Sequence, residues 1–315
     1  MDKGKKIRDK VEIENKVFIL KKIRYTRRRK SFFGERKRNM KSIEDMKDKM
    51  LKADAVLIGI GKELSFEQIE KNPEEYIKHF YLEKNDRLYE MLEKKENKTE
   101  DEKYIFQILK EKAKLEYSSQ KVYEKLSQLL QDKNYFVITT NTDGIIFQSD
   151  LEKDRIVAPC GDIHRLQCKK GCSDELLNTK EVYENIINQY KEKGTVSKFN
   201  CSHCGQELMF NVRNNETIQT YREEGYLKQW EVYTKWLSKT LNQKLLILEI
   251  GENIEQPNLI RWPFEKVAFF NLKSYFVRVN QSLYQIEKEI AGRGEGIKCN
   301  GVHFLNCELE KTMLL

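Results

Sequence analysis

The chain has 315 residues, of which 39% are hydrophobic and 34% charged, with a formal net charge of +8. This length buries a real core, as one large domain with an inserted module or as two smaller ones, and the composition is that of a folded chain. No apolar run approaches the ~20 residues that span a bilayer, and the opening Met-Asp-Lys-Gly-Lys-Lys lacks the apolar centre of a signal peptide, so the expectation is a cytoplasmic protein with no membrane partner.

Seven Cys, four of them in two close pairs, fit metal binding in a reducing compartment better than a disulfide framework. Positive charge is concentrated in residues 21–41, where Glu35 is the only acid. Such a block is either a solvated Lys-rich extension or a surface for nucleic-acid phosphates, and the interleaved Tyr25, Phe32 and Phe33 keep base stacking open.

In chain order, Ser42 to Lys52 reads as a short helix with Ser42 as N-cap. In the stretch Ala53 to Ser65 a buried strand runs into the glycine-containing turn Gly59-Ile60-Gly61, and residues 66–80 have helical composition. Glycines at such a turn either let a pyrophosphate approach the backbone or simply allow a tight strand-to-helix connection. From Pro73 to Gln131 the chain is nearly free of Gly and Pro and reads as helical, with a capped start at Thr99 followed by Glu100, Asp101 and Glu102. The next strand, Tyr135 to Thr140, stops at Asn141-Thr142-Asp143, which is how a buried parallel strand delivers polar groups to the carboxyl edge of a sheet.

Cys168 and Cys172 are separated by three residues and Cys201 and Cys204 by two, each pair beside a turn glycine (Gly171, Gly205). Four thiolates on two short knuckles close a tetrahedral zinc site with no open position, so the metal stabilises a small lobe and does not catalyse. His203 is a less well spaced alternative ligand. Further strands are expected at Leu245–Ile250, Val267–Phe270, Tyr275–Val279 and Val302–Leu305, with a turn-rich stretch around Gly292, Gly294 and Gly296. Strand ends at Gly61, Asn141, Gly251 and Asn280 would line one crevice, the geometry of a nucleotide site.

This ordered set, Gly59-Ile60-Gly61, Thr139 to Asp143, Cys160-Gly161, the four Cys, Gly251 and Asn280, resembles the sirtuin family over about residues 51–310. It is most similar to the macrodomain-linked, class M branch, through Gly161-Asp162, Leu166-Gln167-Cys168, Phe210-Asn211-Val212-Arg213, Leu248-Glu249-Ile250-Gly251, Pro257 and Trp262-Pro263-Phe264.

The resemblance implies an α/β fold: a Rossmann-like parallel sheet with a helical lobe and an inserted four-Cys zinc-ribbon lobe. It divides the chain into a basic extension (1–50), an NAD-binding domain (51–72, 132–165 and 218–315), a helical lobe (73–131) and a zinc-binding lobe (166–217). It implies NAD and a structural zinc on Cys168, Cys172, Cys201 and Cys204. Gly59 and Gly61, with Ser65, would serve the phosphates, Asn141 and Asp143 the ribose and nicotinamide end, Gly251 and Asn253 the adenosine side, and Asn280 the adenine ribose.

Deacylase sirtuins keep a catalytic His eight residues before the first zinc Cys, and class M members a Gln; here the position is Cys160. A thiol with an ordinary pKa of about 8.5 is a poor base at neutral pH unless a cation lowers it. Arg213 matches an Arg that class M ADP-ribosyl transfer requires; its alternative role is a salt bridge between lobes. His164 is expected to point away from the substrate. The expected activity is NAD-dependent protein ADP-ribosylation, with Asn141, Asp143, Cys160 and Arg213 at the reaction centre. The alternatives are a lysine deacylase and a degenerate nucleotide- or partner-binding protein. The implied partner is a protein substrate, with a lipoylated carrier protein and a macrodomain protein suggested by family analogy, and nucleic acid through residues 21–41 as a further candidate. Lys62 and Glu63 follow Gly61, and Glu252 and Glu255 flank Asn253 after Gly251; these two extra carboxylates near a pyrophosphate are unfavourable unless they turn outward or pair with Lys.

Overall fold

The structure is a computed structural model and describes residues 46, 48–65, 87–94, 96–116 and 120–310. The basic block at 21–41, the helix expected at 66–80 and the first part of the expected helical lobe lie outside the described residues. Residues 1–51 and 52–315 form two compact units. In the first, residues 46 and 48–51 are helical. The second holds two β-sheets and the helices packed on them.

Six strands form a wholly parallel sheet: β1 (Ala55–Ile60), β2 (Tyr135–Thr139), β3 (Ile156–Val157), β7 (Leu245–Ile250), β8 (Tyr275–Val279) and β9 (Gly294–Ile297). The spatial order is β3-β2-β1-β7-β8-β9, the doubly wound arrangement in which strand order reverses between β1 and β7. Every residue of β1, β2 and β7 is buried, which is why these strands read as largely apolar runs without alternation, Glu249 of β7 being the charged exception.

One face of this sheet packs on α5 (Leu227–Lys239) and α6 (Arg261–Phe270). Ala55, Leu57, Phe136 and Ile247 meet Trp236, Ile260 and Phe264 there in one core. On the opposite face α3 (Gln120–Leu130) contacts α7 (Gly301–Glu310), whose first residue lies against Ile250.

A second, antiparallel sheet of order β5-β4-β6 is built from β4 (Gly161–Cys168), β5 (Leu177–Asn178) and β6 (Leu208–Val212). Beside it lies α4 (Thr179–Lys193), capped by the Asn178 side chain and closed by Gly194 at φ 74°. Its Val182, Tyr183 and Ile186 share a core with Leu88 and Met91 of α1 (Arg87–Glu93) and with Ile105 and Leu109 of α2 (Glu100–Glu116). The expected capped start of α2 is a capping box: Thr99 Oγ1 accepts from the Glu102 N–H at 3.2 Å, and the Glu102 carboxylate accepts from the Thr99 N–H at 2.8 Å.

Three expectations are corrected. Val267–Phe270 and Val302–Leu305 are helical. In the first, Pro263 near the helix start is compatible with a first turn, and buried Phe264 and Ala268 recur at a spacing of four, the helical period. In the second, the Asn300 side chain caps the helix by accepting from the N–H groups of Val302 and His303 at 3.1 and 3.2 Å. The glycine-rich stretch that reads as turn supplies edge strand β9, paired parallel with β8, and position 296 is glycine because a Cβ there would lie 2.0 Å from the Tyr284 carbonyl oxygen.

An ion pair lies between the large sheet and α6. Glu249 and Arg278 are register partners on β7 and β8, 0% and 1% exposed, joined by two bonds of 2.7 and 2.8 Å. Arg278 also reaches Glu265 at 2.9 Å and the Gln285 carbonyl at 2.6 Å, while Arg261 reaches Glu249 at 3.4 Å and the Leu283 carbonyl at 2.8 Å. The network thus holds the loop after β8 to the sheet. Breaking one partner strands a buried charge: Arg278→Leu is expected to lower unfolding free energy by about 3–5 kcal/mol. Adding Glu249→Leu should recover much of that loss in denaturant titration; equal losses in the single and double variants would contradict the pairing.

Candidate functional site

The strand ends at the reversal point carry the polar loops. Asn141 follows β2, and its backbone N–H is held by Thr139 Oγ1 at 3.1 Å. Asp143 accepts from the Ile145 N–H at 3.1 Å, and the Thr142 carbonyl accepts from the Ile163 N–H of β4 at 2.9 Å, tying this loop to the small sheet. Cys160 and Arg213 are brought together by the β4–β6 ladder, where the Arg213 N–H donates to the Cys160 carbonyl at 2.8 Å. Gly161, at φ 68°, has to be glycine there, since a Cβ would lie 1.9 Å from the Asn211 carbonyl oxygen.

A cavity of about 520 Å³ opens between these loops, with Asn141, Asp143, Cys160 and Arg213 in its wall. Ser65, Asn253, Lys62 and Glu255 line it as well, and Ile163 and Val212 give it an apolar side. Asn141 is 4% exposed, and neither its amide nitrogen nor its oxygen has a hydrogen-bond partner. The buried phenol of Tyr123, which donates to the Leu64 carbonyl at 3.3 Å, also approaches the Asn141 amide, but outside the geometry of a full hydrogen bond, so the amide is left unsatisfied. An orphaned buried amide facing a cavity is a group waiting for a polar ligand. Arg213 has no ion pair with a described acid, so the inter-lobe salt bridge is not seen among the described residues.

Burial, and next the carboxyl of Glu252, pushes the Cys160 thiol up to about 12. It is a neutral thiol throughout the physiological range and no general base. His164 lines a different cavity, of about 280 Å³, and its ring packs where a Cβ on Gly144 would stand. Its Nδ1 lies 3.3 Å from Asp162. It therefore supports the Asn141–Asp143 loop from behind, out of the main cavity.

The remaining expected nucleotide residues lie elsewhere. Gly59 is a packing glycine: a Cβ would lie 2.5 Å from Ile260 and 2.8 Å from Phe264, under α6. Around Gly61 a Cβ would meet the Glu252 backbone at 2.3 Å, and around Gly251, at φ 67°, it would meet the Glu63 side chain at 2.6 Å. Asn280 is 5% exposed and fully engaged: its oxygen accepts from Ser282 and Leu283 at 2.9 and 2.7 Å, and its nitrogen donates to the Glu252 carbonyl at 2.8 Å. The residue type and place of Asn280 suit a nucleotide, but the Asn-Gln-Ser-Leu run after a strand is also the signature of an Asx turn.

The four charged groups expected near a pyrophosphate part ways. Lys62 and Glu255 pair at 2.7 Å at the cavity mouth. Glu63 turns to the backbone amides of Gln281 and Gly301. Glu252 is fully buried, with one oxygen accepting from Thr140 Oγ1 at 2.7 Å and the other unpartnered.

In the small sheet, the Sγ atoms of Cys168, Cys172, Cys201 and Cys204 all lie within 4.8 Å of one another. Cys168 and Cys204 are 3.5 Å apart, as are Cys172 and Cys201. Zn–S bonds of about 2.3 Å in a tetrahedron put sulfurs about 3.8 Å apart, so the donor set and its spacing fit zinc. His203 stands outside this set, paired with Glu175 at 3.0 Å. No helix among the described residues is long and apolar enough to cross a membrane.

Burial, opposed by the Thr140 hydrogen bond and reinforced by Glu249 and Glu255, lifts the Glu252 carboxyl to about 8. An acid whose folded pKa is raised binds its proton more tightly in the native state, so native stability is greatest below the unfolded value near 4.5 and falls as pH rises toward 8. Thermal melts from pH 5 to 9 are expected to show this decline in the native protein and a flatter profile in Glu252→Gln. Parallel profiles would contradict the burial of a neutral carboxyl.

No family profile matches this sequence. The chain is 22% identical over 266 residues to a "Protein ADP-ribosyltransferase" of Staphylococcus aureus, covering 80% of this chain and 82% of that protein. It is 26% identical over 163 residues to a "Probable bifunctional ADP-ribose hydrolase/ADP-ribosyltransferase" of Fusarium oxysporum, covering 48% of this chain and 27% of the relative. Among solved structures, a Sir2 complex with an inhibitor, 2′-O-acetyl-ADP-ribose and a deacetylated p53 peptide superposes with a TM-score of 0.50 at 13% identity, over 86% of this chain and 100% of that one. A Sir2 variant with a p53 peptide and NAD gives a TM-score of 0.50 at 13% identity, over 87% and 99%. With its six parallel strands in doubly wound order and its four-Cys antiparallel lobe, the chain has the Sir2, or sirtuin, fold.

Proposed function

We propose that this chain is an NAD-dependent protein ADP-ribosyltransferase of the sirtuin family. The observation that carries the reading is the buried, unpartnered Asn141 amide, set with Asp143 and Arg213 around one cavity at the carboxyl edge of the sheet. The names of the two sequence relatives agree with it, as does the presence of NAD in a Sir2 structure of this fold. NAD, when bound, supplies an electrophilic ribosyl carbon and a nicotinamide leaving group. Asn141 and Asp143 orient that end, Arg213 adds positive charge beside the acceptor, and Ile163 and Val212 keep water away. Positioning and preorganised charge supply most of the acceleration in such a transfer, so the lack of a strong base is tolerable.

The neutral Cys160 ranks lysine deacylation second, because that reaction needs a base of pKa near 7 at this position. A nucleotide- or partner-binding role without turnover is third. The acceptor is a protein side chain, with lipoylated carrier proteins the first candidates, and the class M likeness extends the partners to a macrodomain protein.

Labelled NAD and candidate acceptors, incubated with the native protein, are expected to yield labelled acceptor, and Asn141→Ala to reduce the rate by about 100-fold or more. Absence of label, or an unchanged Asn141→Ala rate, would overturn the assignment.

We also propose a structural zinc on Cys168, Cys172, Cys201 and Cys204. Atomic-emission analysis is expected to find one zinc per chain, and Cys201→Ser or chelation to lower Tm and expose β4 to β6 to protease. A protein free of zinc after metal-replete expression would rule this out.

A further inference from the structure

Glu63 is a charged group beside the crevice that the proposed reaction does not use. It sits in the first turn after β1, yet its carboxyl reaches across the strand-order reversal to loops from the other half of the sheet. One oxygen accepts from the Gln281 N–H at 2.9 Å and the other from the Gly301 N–H at 2.7 Å. Gly301 opens α7, a ten-residue helix, so the second bond lies at a positive helix end. Gly251, at φ 67°, gives the side chain its path: a Cβ there would be 2.6 Å from the Glu63 Cβ. The Glu63 N–H in turn donates to the Gly251 carbonyl at 3.3 Å. On the adjoining side the space over Gly61 is filled by Glu252, whose carboxyl oxygen would lie 2.5 Å from a Cβ on Gly61.

Backbone amides and glycines at the carboxyl ends of parallel strands are what a dinucleotide diphosphate uses in folds of this class. Here an acid of the chain itself holds them. We propose that Glu63 is an internal anion that competes with the diphosphate of the dinucleotide for the amides of Gln281 and Gly301, and so sets the affinity of the crevice for NAD. The inference rests on the NAD reading above. Binding then requires the Glu63 side chain to leave both amides, which couples occupancy to a movement of residues 62–65 at the cavity mouth. Lys62 belongs to the same turn, and its pair with Glu255 must rearrange with it.

The test is calorimetric titration of the full-length native protein, Glu63→Gln and Glu63→Ala with NAD, ADP-ribose and, as a probe without phosphate, adenosine. Thermal melts of each protein with and without ADP-ribose show whether the variants are folded. Glu63→Ala is expected to bind ADP-ribose at least tenfold tighter than the native protein, Glu63→Gln to gain less, and adenosine to gain nothing. Native affinity equal to or tighter than both folded variants would overturn the proposal, and so would an equal gain for adenosine, which would point to loop relaxation instead of anion competition. If no protein, native or variant, binds NAD or ADP-ribose, the NAD reading falls and the role of Glu63 falls with it.

Discussion

The parallel pairing of β1 with β7 is the contact on which the rest of the molecule depends. It joins the two halves of the sheet in register from Ala55 against Leu245 to Ile60 against Ile250. Strand order reverses at this line, so the loops leaving β1 and β7 part and open a crevice. The cavity wall is drawn from these loops: Lys62 and Ser65 after β1, Asn141 to Asp143 after neighbouring β2, and Asn253, Glu255 and Gln256 after β7. The small antiparallel sheet brings Cys160 and Arg213 to the same place through the ladder of β4 with β6.

Burial decides how each acid around these loops carries its charge. Between the sheet and α6, Glu249 and Arg278 form a fully desolvated bidentate pair, which is stable only because both partners are saturated with further bonds. In the loop after β7, Glu252 has a single hydroxyl donor, and burial keeps its proton on. At the mouth, Lys62 and Glu255 pair in water, where such a bridge has little energetic weight. The acids that looked hostile to a pyrophosphate in the sequence are thus neutralised in three ways: by a proton, by a lysine and, for Glu63, by backbone amides.

Much of the fold is legible in the sequence because buried parallel strands leave an unmistakable trace. Leu245 to Ile250 and Tyr135 to Thr139 are apolar and β-branched, and each stops at Gly or at the Thr-Asn step. The capping box at Thr99 and the two Cys knuckles are local patterns with local causes. Val267–Phe270 and Val302–Leu305 misled because four apolar residues carry no period, and the deciding features were Pro263 and Asn300 just upstream. In the candidate site, Asn141 and Asp143 are nameable because they follow a buried strand that stops abruptly, whereas Cys160 and Arg213 are nameable only through the family resemblance. The packing of Gly59 under α6 and the Asx turn made by Asn280 are tertiary and local backbone features that residue type alone does not reveal. The reach of Glu63 to residues more than 200 positions away has no sequence signal at all.

Under the proposed activity, NAD cleaved at the Asn141 cavity passes its ADP-ribose to a protein and not to water or to an acyl group. The most direct measurement is the stoichiometry of nicotinamide released against ADP-ribose fixed on acceptor, followed in one reaction by chromatography and intact-protein mass spectrometry. The expected result is one nicotinamide per ADP-ribosyl group on protein and no acyl group lost. Nicotinamide released in step with deacylated product, or free ADP-ribose formed at the same rate without an acceptor, would contradict it.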